Sequence, residues 1–396
     1  MNVYEAESRG RVDSDYAEVK KGRMKFNVYE AESRGRVDSD YAEVKKGRMK
    51  FKYYIEVGTG NKAKQDIDDI CRQEGFCNLT SHNFGSGGVG RFLTKVVSVS
   101  SILWRLKRDD VLFLQYPMKK FYYMACLLTH LRGGKVVTVI HDLGAFRRHK
   151  LTAQHENSRL SKTDFLIVHN PTMRDYLIEH GYKGGIHCLQ IFDYLSLSPV
   201  RTLDADKVVL PSMVNRPWNI VYGGHLGRWR NAFLYKLASV MDGWEMDLYG
   251  KGFDADANDC PQLRYHGFMA GNDFIAQVQA DFGLVWDGDS TEECTGDWGE
   301  YLRINDPHKT SFYLRAGIPV IVWSQAAMAP FIEESRVGIA VKGLSHLKER
   351  LDQLTVDDYR LIRSNAQTMG RQLAEGYYIK QGLAAAEAFL NHQSHV

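Results

Sequence analysis

Residues 282–325 read FGLVWDGDSTEECTGDWGEYLRINDPHKTSFYLRAGIPVIVWSQ. The pattern predicts a buried strand from Phe282 to Trp286, then a long polar loop, then a helix that opens within Pro307 to Ser311 and closes at Gly317. A second buried strand follows from Pro319 to Trp323, since both runs are short, apolar and rich in β-branched residues. Two strands joined through a helix need a crossover, so the stretch predicts a parallel βαβ unit.

The start of this helix carries groups that suit a phosphate. His308 and Lys309 open the first turn, Lys309 brings a cation, and Thr310 and Ser311 bring hydroxyls. The first turn of a helix also leaves backbone N–H groups without partners and carries a partial positive charge. We therefore interpret the segment as a diphosphate clamp, the alternative being a capped amphipathic helix.

A glycine-rich turn lies upstream, where YGGHLGRWR spans residues 222–230. It follows a predicted strand, and Gly224 would let the backbone approach a ligand. Arg228 or Arg230 could then grip a phosphate with a bidentate fork. The alternative is a tight strand-to-helix turn with solvated arginines. In a parallel sheet this turn and the helix start would meet at the same carboxyl edge, where ligands bind.

The composition is that of a globular protein with two cores. The chain has 396 residues, of which 44% are hydrophobic and 25% charged. The sequence contains no run of about 18 apolar residues, so a membrane-spanning helix is not predicted. The polar N-terminus argues against a secretory signal peptide. A net charge of +3 with scattered basic residues argues against nucleic acid as a partner. Six cysteines without a C-x-x-C pair predict reduced thiols in the cytoplasm.

The N-terminus is a perfect tandem repeat, because residues 2–26 recur letter for letter as residues 27–51. Stacked repeats need about three copies and an apolar face, and these copies are mostly charged. We interpret residues 1–49 as an extension that is disordered or an artefact of a duplication or a misplaced start codon. The folded body is expected to begin near Lys50.

The rest of the chain alternates strands and helices, which predicts an α/β fold of two Rossmann-like parallel-sheet domains facing each other across a cleft. We expect a first, acceptor-side domain at residues 50–195, a linker at 196–217, a second, nucleotide-sugar-binding domain at 218–375 and a C-terminal helix at 376–396 that packs back on the first domain. Further strands are predicted at 53–57, 77–82, 111–116, 135–140, 165–169, 186–191, 219–222, 245–249 and 338–341.

Two features of the first half could bear on chemistry. His141 and Asp142 follow the predicted strand KVVTVI, where either side chain could act as a general base on a hydroxyl. The alternative is a helix cap by Asp142 and a partly buried His141. The glycine-rich loop from Phe84 to Arg91, with Gly87 and Gly88, is interpreted as a flexible lip facing the other domain or a plain turn, since its spacing does not fit a dinucleotide fingerprint.

Two further patterns favour a structural interpretation over a functional one. Asp287 and Asp289 form a D-x-D pair that could hold Mg²⁺ or Mn²⁺, but the loop continues with more acidic residues and is typical of a solvated acidic loop. We therefore expect no metal and no cofactor. Residues 118–128 are basic, then apolar and aromatic, which favours a core helix over an interfacial membrane helix.

The motifs GGHLGR, FGLVWDGD and PHKTSFYLRAGIPVIV resemble the C-terminal half of GT-B glycosyltransferases, and in particular the glucosyltransferase-3-like and bacterial galactofuranosyltransferase group. The resemblance runs from Met49 to the C-terminus. It implies that Lys309, Thr310 and Ser311 bind a nucleotide diphosphate and that Arg228 contacts its phosphates. VIHDLGAFR and GSGGVGR resemble the same group, implying acceptor-side and catalytic contacts near Asp142 and Gly88 to Arg91.

The E-x₇-E signature of many retaining relatives is not completed after Glu300, because the residue eight positions further on is His308. An inverting displacement with Asp142 as the base, and His141 in reserve, is therefore the hypothesis. The chain is expected to move galactofuranose or glucose from a UDP-sugar to a hydroxyl of a surface glycan or lipid-linked saccharide, without a metal. We expect it in the cytoplasm at the inner face of the membrane, as a peripheral protein and a homo-oligomer. The alternative is a non-catalytic two-domain protein that binds a nucleotide or sugar.

Overall fold

The computed structural model describes residues 52–56, 61–80, 82–85, 87–118, 121–147, 152–199, 208–257 and 260–393. The predictions for the duplicated N-terminal extension and for a folded start near Lys50 lie outside the described residues.

The first half is built on a six-stranded sheet in the order β2-β1-β3-β4-β5-β6, with every pair of neighbours parallel. β3 and β4 are almost wholly buried, and their aliphatic runs are typical of strands covered on both faces. The strands are β1 Lys52–Tyr54, β2 Cys77–Asn78, β3 Val111–Tyr116, β4 Lys135–Ile140, β5 Phe165–Val168 and β6 Gly185–Cys188.

The second half has its own parallel six-stranded sheet, in the order β12-β11-β10-β7-β8-β9. Its strands are β7 Trp218–His225, β8 Trp244–Lys251, β9 Leu263–Tyr265, β10 Phe282–Val285, β11 Val320–Trp323 and β12 Gly338–Val341. The predicted α/β architecture of two parallel sheets is confirmed. β9 was missing from the prediction because this three-residue edge strand is buried only at its first residue and shows no apolar run.

Helices cover both faces of the first sheet. They are α1 Lys62–Gln73, α2 Gly88–Ser100, α3 Ile102–Arg105, α4 Phe121–Leu131, α5 Gly144–Arg147, α6 Ala153–Leu160 and α7 Pro171–Glu179. Side chains cap three of the starts: Asn61 accepts from the Lys64 N–H, Thr152 accepts from the His155 N–H, and Asn170 accepts from the Met173 N–H ahead of a proline in the first turn.

The second half contains the helices α8 Arg228–Asn231, α9 Gly271–Gln277, α10 Gly296–Tyr301, α11 His308–Arg315, α12 Ala329–Glu334, α13 Leu347–Asp352 and α14 Val356–Ala374. α11 connects β10 to β11, and Gly317 at φ +71° ends it as a left-handed glycine does. The long polar loop predicted between β10 and α11 instead contains α10. The prediction of a solvated polar loop is wrong for much of this segment, because many of its residues are buried.

The last helix, α15 Tyr377–Gln393, packs against β5, β6 and α1 of the first half. The ring centroids of Phe165 and Phe389 are 5.3 Å apart, and Lys52 forms an ion pair with Glu387 at 2.8 Å. At the start of α15 the buried Asp193 carboxylate accepts the backbone N–H groups of residues 378 and 379. Burial raises the pKa of Asp193 to about 7. The predicted domain boundaries stay predictions.

Candidate functional site

A cleft of about 340 Å³ lies between the two halves, where strand ends of both sheets meet. Parallel sheets bind ligands at this carboxyl edge, because loops and helix starts converge there. The first half contributes residues 61–63 at the start of α1, His141 and Asp142 after β4, and His169 after β5. From the second half come residues 305–309 at the start of α11, together with Arg230, Asp287, Trp298, Tyr301 and Leu302.

Lys309 is the cation at the start of α11, as the sequence predicted. Its Nζ donates to the Tyr222 hydroxyl at 2.8 Å and lies 3.8 Å from the Asp287 carboxylate. Burial lowers the pKa of Lys309 to about 8, which the neighbouring carboxylate only partly opposes. An incoming anion would stabilise the charged form, so this ammonium is poised to gain from anion binding.

Arg230 is the second cation of the cleft. Its Nε lies 3.2 Å from Asp287, and its guanidinium stacks over Trp298 at 3.9 Å. Arg230 and Lys309 therefore share one carboxylate, which leaves this cluster with a net positive charge. The stacking holds the guanidinium plane in place, and such a plane suits bidentate binding of phosphate oxygens.

Arg228 lies elsewhere. Its side chain is exposed, its guanidinium lies 4.1 Å from the centroid of the Tyr235 ring, and it is not among the described residues lining the cleft. Both arginines fall in α8, and two positions along a helix differ in direction by about 200°. The sequence predicted that either Arg228 or Arg230 could contact a phosphate, and the structure places only Arg230 beside Lys309.

The other predicted donor-side residues differ in their placement. Gly224, at φ +141°, brings the backbone close to Lys309, since a Cβ there would lie 3.8 Å from Lys309 Cε. Thr310 Oγ1 lies 3.3 Å from Met328 Sδ, and the buried Ser311 hydroxyl has no hydrogen-bond partner within the described part of the chain. The hydroxyls of Thr310 and Ser311 thus lie inside the second half rather than among the cleft-lining groups. Within the part of the chain that the structure describes, the first-turn backbone N–H groups without an acceptor are those of His308 and Lys309.

The His308 side chain turns toward residues 193–194, just before the predicted linker. Its Nε2 donates to the Asp193 carbonyl at 3.3 Å, and its ring stacks on Tyr194 with centroids 4.9 Å apart. Burial lowers the pKa of His308 to about 4, so the imidazole is neutral at pH 7. The contact fixes the start of α11 against the 193–194 segment.

His141 lies on the first-half wall of the cleft, stacked on Phe192 with ring centroids 5.3 Å apart. The amide nitrogen of Gln115 donates to the Lys64 carbonyl and to Asp68, so its oxygen faces His141 at 2.7 Å. His141 must then donate from Nε2, which leaves the lone pair on Nδ1. Burial, with positive charge on Lys64, holds the pKa of His141 well below its usual value.

Asp142 is half-buried beside His141 and also lines the cleft. Burial lowers the pKa of Lys64 to about 8, and the Asp142 carboxylate opposes that shift. The first half therefore presents a carboxylate and a neutral imidazole to the cleft, facing the two cations of the second half. A carboxylate and a neutral imidazole are both suited to accept a proton.

The predicted glycine lip lies at the carboxyl end of β2. Gly87 caps α2, Gly88 opens it, and Arg91 is exposed on its first turn. The glycine whose missing side chain matters most is Gly90, because a Cβ there would lie 2.4 Å from the Phe84 carbonyl oxygen. Among described residues, Gly87, Gly88 and Arg91 are not part of the cleft lining.

The two aspartates of the D-x-D pair have different partners. Asp287 faces Arg230 and Lys309, whereas the exposed Asp289 accepts from the Thr295 hydroxyl. The described part of the chain contains no group of three or more His, Cys, Asp or Glu side chains placed to hold a metal ion. The description of this loop as solvated is wrong for Asp287 and for Cys294, both of which are buried.

Sequence reasoning missed a junction between the two halves. His169 donates from Nε2 to the Ile140 carbonyl at 3.0 Å and accepts the Asp306 N–H at Nδ1 at 2.9 Å. Asn170 donates to the Asp306 carboxyl at 2.7 Å. The Tyr301 hydroxyl accepts the Leu143 N–H at 2.9 Å, and Tyr301 packs in the core of the first half. The signal was the apolar residues of the acidic segment, Tyr301, Leu302 and Ile304.

Burial raises the pKa of Asp306 to about 8, so this carboxyl is protonated in the folded protein at neutral pH. The carboxyl holds its proton more tightly in the folded protein than in the unfolded one. Its contribution to the free energy of unfolding is therefore fully present below the unfolded pKa, near 4, and is lost as pH rises toward 8. We expect Asp306→Asn, which keeps an acceptor for Asn170, to flatten this decline by at least about 1 kcal/mol between pH 5 and pH 8. Urea unfolding at several pH values measures the effect. Parallel curves for both proteins would contradict the raised pKa.

Within the described residues, no helix combines the length and the apolar character needed to cross a bilayer.

Comparison with known proteins gives a consistent result for both halves. Family models described as glucosyltransferase 3-like match residues 53–191 (N-terminal domain) and 220–386 (C-terminal domain). The chain is 31% identical to beta-1,6-galactofuranosyltransferase WbbI of Escherichia coli (strain K12) over 328 residues, 82% of this chain and 93% of that protein. It is 22% identical to glucosyltransferase 3 of Streptococcus gordonii over 343 residues, 82% of this chain and 92% of that protein.

Two solved structures share the fold. Sucrose-phosphate synthase from Thermosynechococcus elongatus aligns with a TM-score of 0.52 at 12% identity, over 86% of this chain and 99% of that one. Anabaena HepE in complex with UDP aligns with a TM-score of 0.51 at 13% identity, over the same shares of the two chains. At these identities the likeness concerns the fold alone.

Proposed function

Since the chain belongs to the glucosyltransferase 3-like family of GT-B glycosyltransferases, we propose that it moves a hexose from a UDP-sugar to a hydroxyl of a surface glycan or a lipid-linked saccharide. The observation that carries the proposal is the pair of cations, Arg230 and Lys309, facing Asp142 and His141 across one cleft. Galactofuranose and glucose are the proposed sugars, because the relatives at 31% and 22% identity are named as a galactofuranosyltransferase and a glucosyltransferase.

The second half holds the donor in this proposal. Lys309 and Arg230 neutralise the diphosphate, and the first-turn N–H groups of His308 and Lys309 add hydrogen bonds. Gly224 leaves room for the phosphates beside Lys309. Thr310 and Ser311 pack the helix start into the second half and make no donor contact, since their side chains are buried.

The reaction is proposed as a single inverting displacement. The Asp142 carboxylate takes the proton of the acceptor hydroxyl, and the hydroxyl oxygen forms a bond to the anomeric carbon. The bond from that carbon to the diphosphate oxygen breaks on the opposite face, and its electron pair leaves with UDP. Arg230 and Lys309 stabilise the charge that develops there, as preorganised groups in a partly dry cleft do. His141, with its lone pair on Nδ1, is the reserve base.

The test is to incubate the full chain with a panel of UDP-sugars, with and without glycan acceptors, and to measure released UDP and product masses. Acceptor-dependent release from UDP-galactofuranose or UDP-glucose is expected. Binding of UDP-sugars without release in the presence of any acceptor would contradict the proposal.

Arg230→Ala is expected to weaken UDP binding by about tenfold, because it removes a charged hydrogen-bond donor and leaves the Asp287 carboxylate less compensated. Arg228→Ala is the matched control, since it removes the same side chain from the same short helix. A change below about threefold is expected for the control. Calorimetric titration with UDP measures both, and a larger loss for Arg228→Ala would move the phosphate contact to Arg228.

Activity is expected to persist within about twofold in EDTA, because two protein cations supply the charge that a metal ion supplies elsewhere. Asp287 is engaged by Arg230 and Lys309, which disfavours its use as a metal ligand. Measurement of UDP release before and after chelation tests this. Loss of activity that Mg²⁺ or Mn²⁺ restores would contradict it.

A further inference from the structure

The outer side of α4 is largely apolar, although His130 is also exposed in its last turn. Tyr123, Met124, Leu127 and Leu131 are all exposed, at positions that repeat every three to four residues. The opposite side of α4 is buried against the sheet through Tyr122, Ala125 and Cys126 in the core. A surface helix normally presents polar residues outward, whereas α4 is mainly apolar on both its buried and its outer side.

The neighbouring helices extend this surface. α2 and α3 pack against α4, and the Phe92 and Phe121 rings lie 5.6 Å apart. Val89, Phe92 and Leu93 are exposed on α2, and Trp104 is 65% exposed on α3. We call the outer sides of α2, α3 and α4 the apolar face. Contiguous exposed apolar surface of this kind marks an interaction site.

The neighbouring helices α6 and α7 do not share this feature. α6 and α7 cover the same side of the sheet, since Leu160 and Leu177 join the same core as α4. Their exposed positions are mainly polar, as at Gln154, His155 and Glu179. The apolar face is therefore not a general property of this side of the first half.

The charge around the apolar face points to its occupant. Residues 82–135 contain nine Lys and Arg and two Asp, a net charge of +7, whereas the whole chain carries +3. One of the two aspartates, Asp110, is buried, and Arg91, Lys107, Arg108 and Arg132 are exposed. Exposed apolar side chains on helices that carry exposed cations or are closely followed by them match the boundary between acyl chains and anionic headgroups. A second copy of this chain would bring the same excess of positive charge against it.

We propose that the apolar face docks on an anionic lipid bilayer, with the side chains of α2, α3 and α4 entering the headgroup region. α2 and α4 begin at the carboxyl ends of β2 and β3, the edge at which the cleft lies. If the proposed transfer reaction holds, this orientation brings the cleft to the membrane surface, where a lipid-linked acceptor would be carried.

The test is flotation of the full chain with vesicles of phosphatidylglycerol and phosphatidylcholine, compared with phosphatidylcholine alone. Binding to the anionic vesicles is expected to be at least about tenfold stronger and to fall with salt. The double variant Trp104→Glu and Leu131→Glu changes side chains that are 65% and 67% exposed, so folding should be preserved. We expect it to lose at least about tenfold in vesicle binding.

Met213→Glu is the matched control, because Met213 is 62% exposed in the second half. It should bind vesicles like the unaltered chain. Equal binding to both vesicle types, or binding unaffected by the double variant, would overturn the proposal. So would sedimentation showing an oligomer that the double variant converts to monomers, since the occupant would then be a second copy. Flotation needs no donor or acceptor, so its outcome is independent of the transferase assay.

Discussion

Lys309→Ala is expected to lower kcat/KM for the UDP-sugar by about 10² to 10³. The Lys309 ammonium lies at the start of α11, donates to the Tyr222 hydroxyl at 2.8 Å and lines the cleft beside Arg230. In the proposed reaction it meets the charge that develops on the departing diphosphate. Its loss would remove a stabilising cation and leave Asp287 paired with Arg230 alone. Steady-state UDP release measures the effect.

Lys348→Ala is the control, because Lys348 lies on the surface in an i,i+4 ion pair with Asp352. It should leave activity within about twofold, as exposed pairs contribute little. Circular dichroism of Lys309→Ala would verify that the fold is retained. Turnover by a folded Lys309→Ala protein within about threefold of the unaltered chain would contradict the assignment of Lys309 to the leaving group.

Asp142→Asn is expected to lower kcat by about 10² to 10⁴, while UDP binding stays within about twofold. Asparagine keeps the shape of the side chain and loses the ability to accept the acceptor's proton. Asp142 belongs to the first-half wall of the cleft and the cations belong to the second half. The substitution should therefore slow the chemical step without weakening the binding of UDP. Single-turnover kinetics together with calorimetry of UDP binding measures the split.

Asp289→Asn is the matched control, since Asp289 is exposed and its partner is Thr295. It should leave kcat nearly unchanged. His141→Gln distinguishes the two candidate bases. An active Asp142→Asn enzyme beside an inactive His141→Gln enzyme would transfer the role of base to His141.

The strands of the two sheets could be predicted where burial on both faces requires a run of apolar residues in the sequence. β4, β11 and β12 consist mostly of buried aliphatic residues, and their observed bounds lie within one residue of the predicted ones. β2 and β9 are edge strands of two and three residues that lack such runs. Each is defined by its pairing with one neighbouring strand, β1 for β2 and β8 for β9, and not by a buried apolar run, so local patterns could not define them.

The site was predictable to the extent that it depends on local elements. The position of Lys309 follows from the start of a helix after a buried strand. The choice between Arg228 and Arg230 depends on the rotation of a four-residue helix, which no local pattern determines. The pairing of Asp306 with His169 and Asn170 joins residues more than 130 positions apart. The apolar residues of the acidic segment indicate that it packs against something, but they do not identify its partner.

The packing of α15 has a consequence for synthesis. Ile379, Leu383, Ala386 and Leu390 fill the same core as Tyr54 and other residues of the first sheet. This helix follows both sheets in the order of synthesis, so one face of the first sheet stays uncovered until residues 377–393 have been made. The N-terminal half can reach its final stability only after the C-terminal half has emerged. A nascent chain stalled before residue 377 should therefore expose that face to chaperones.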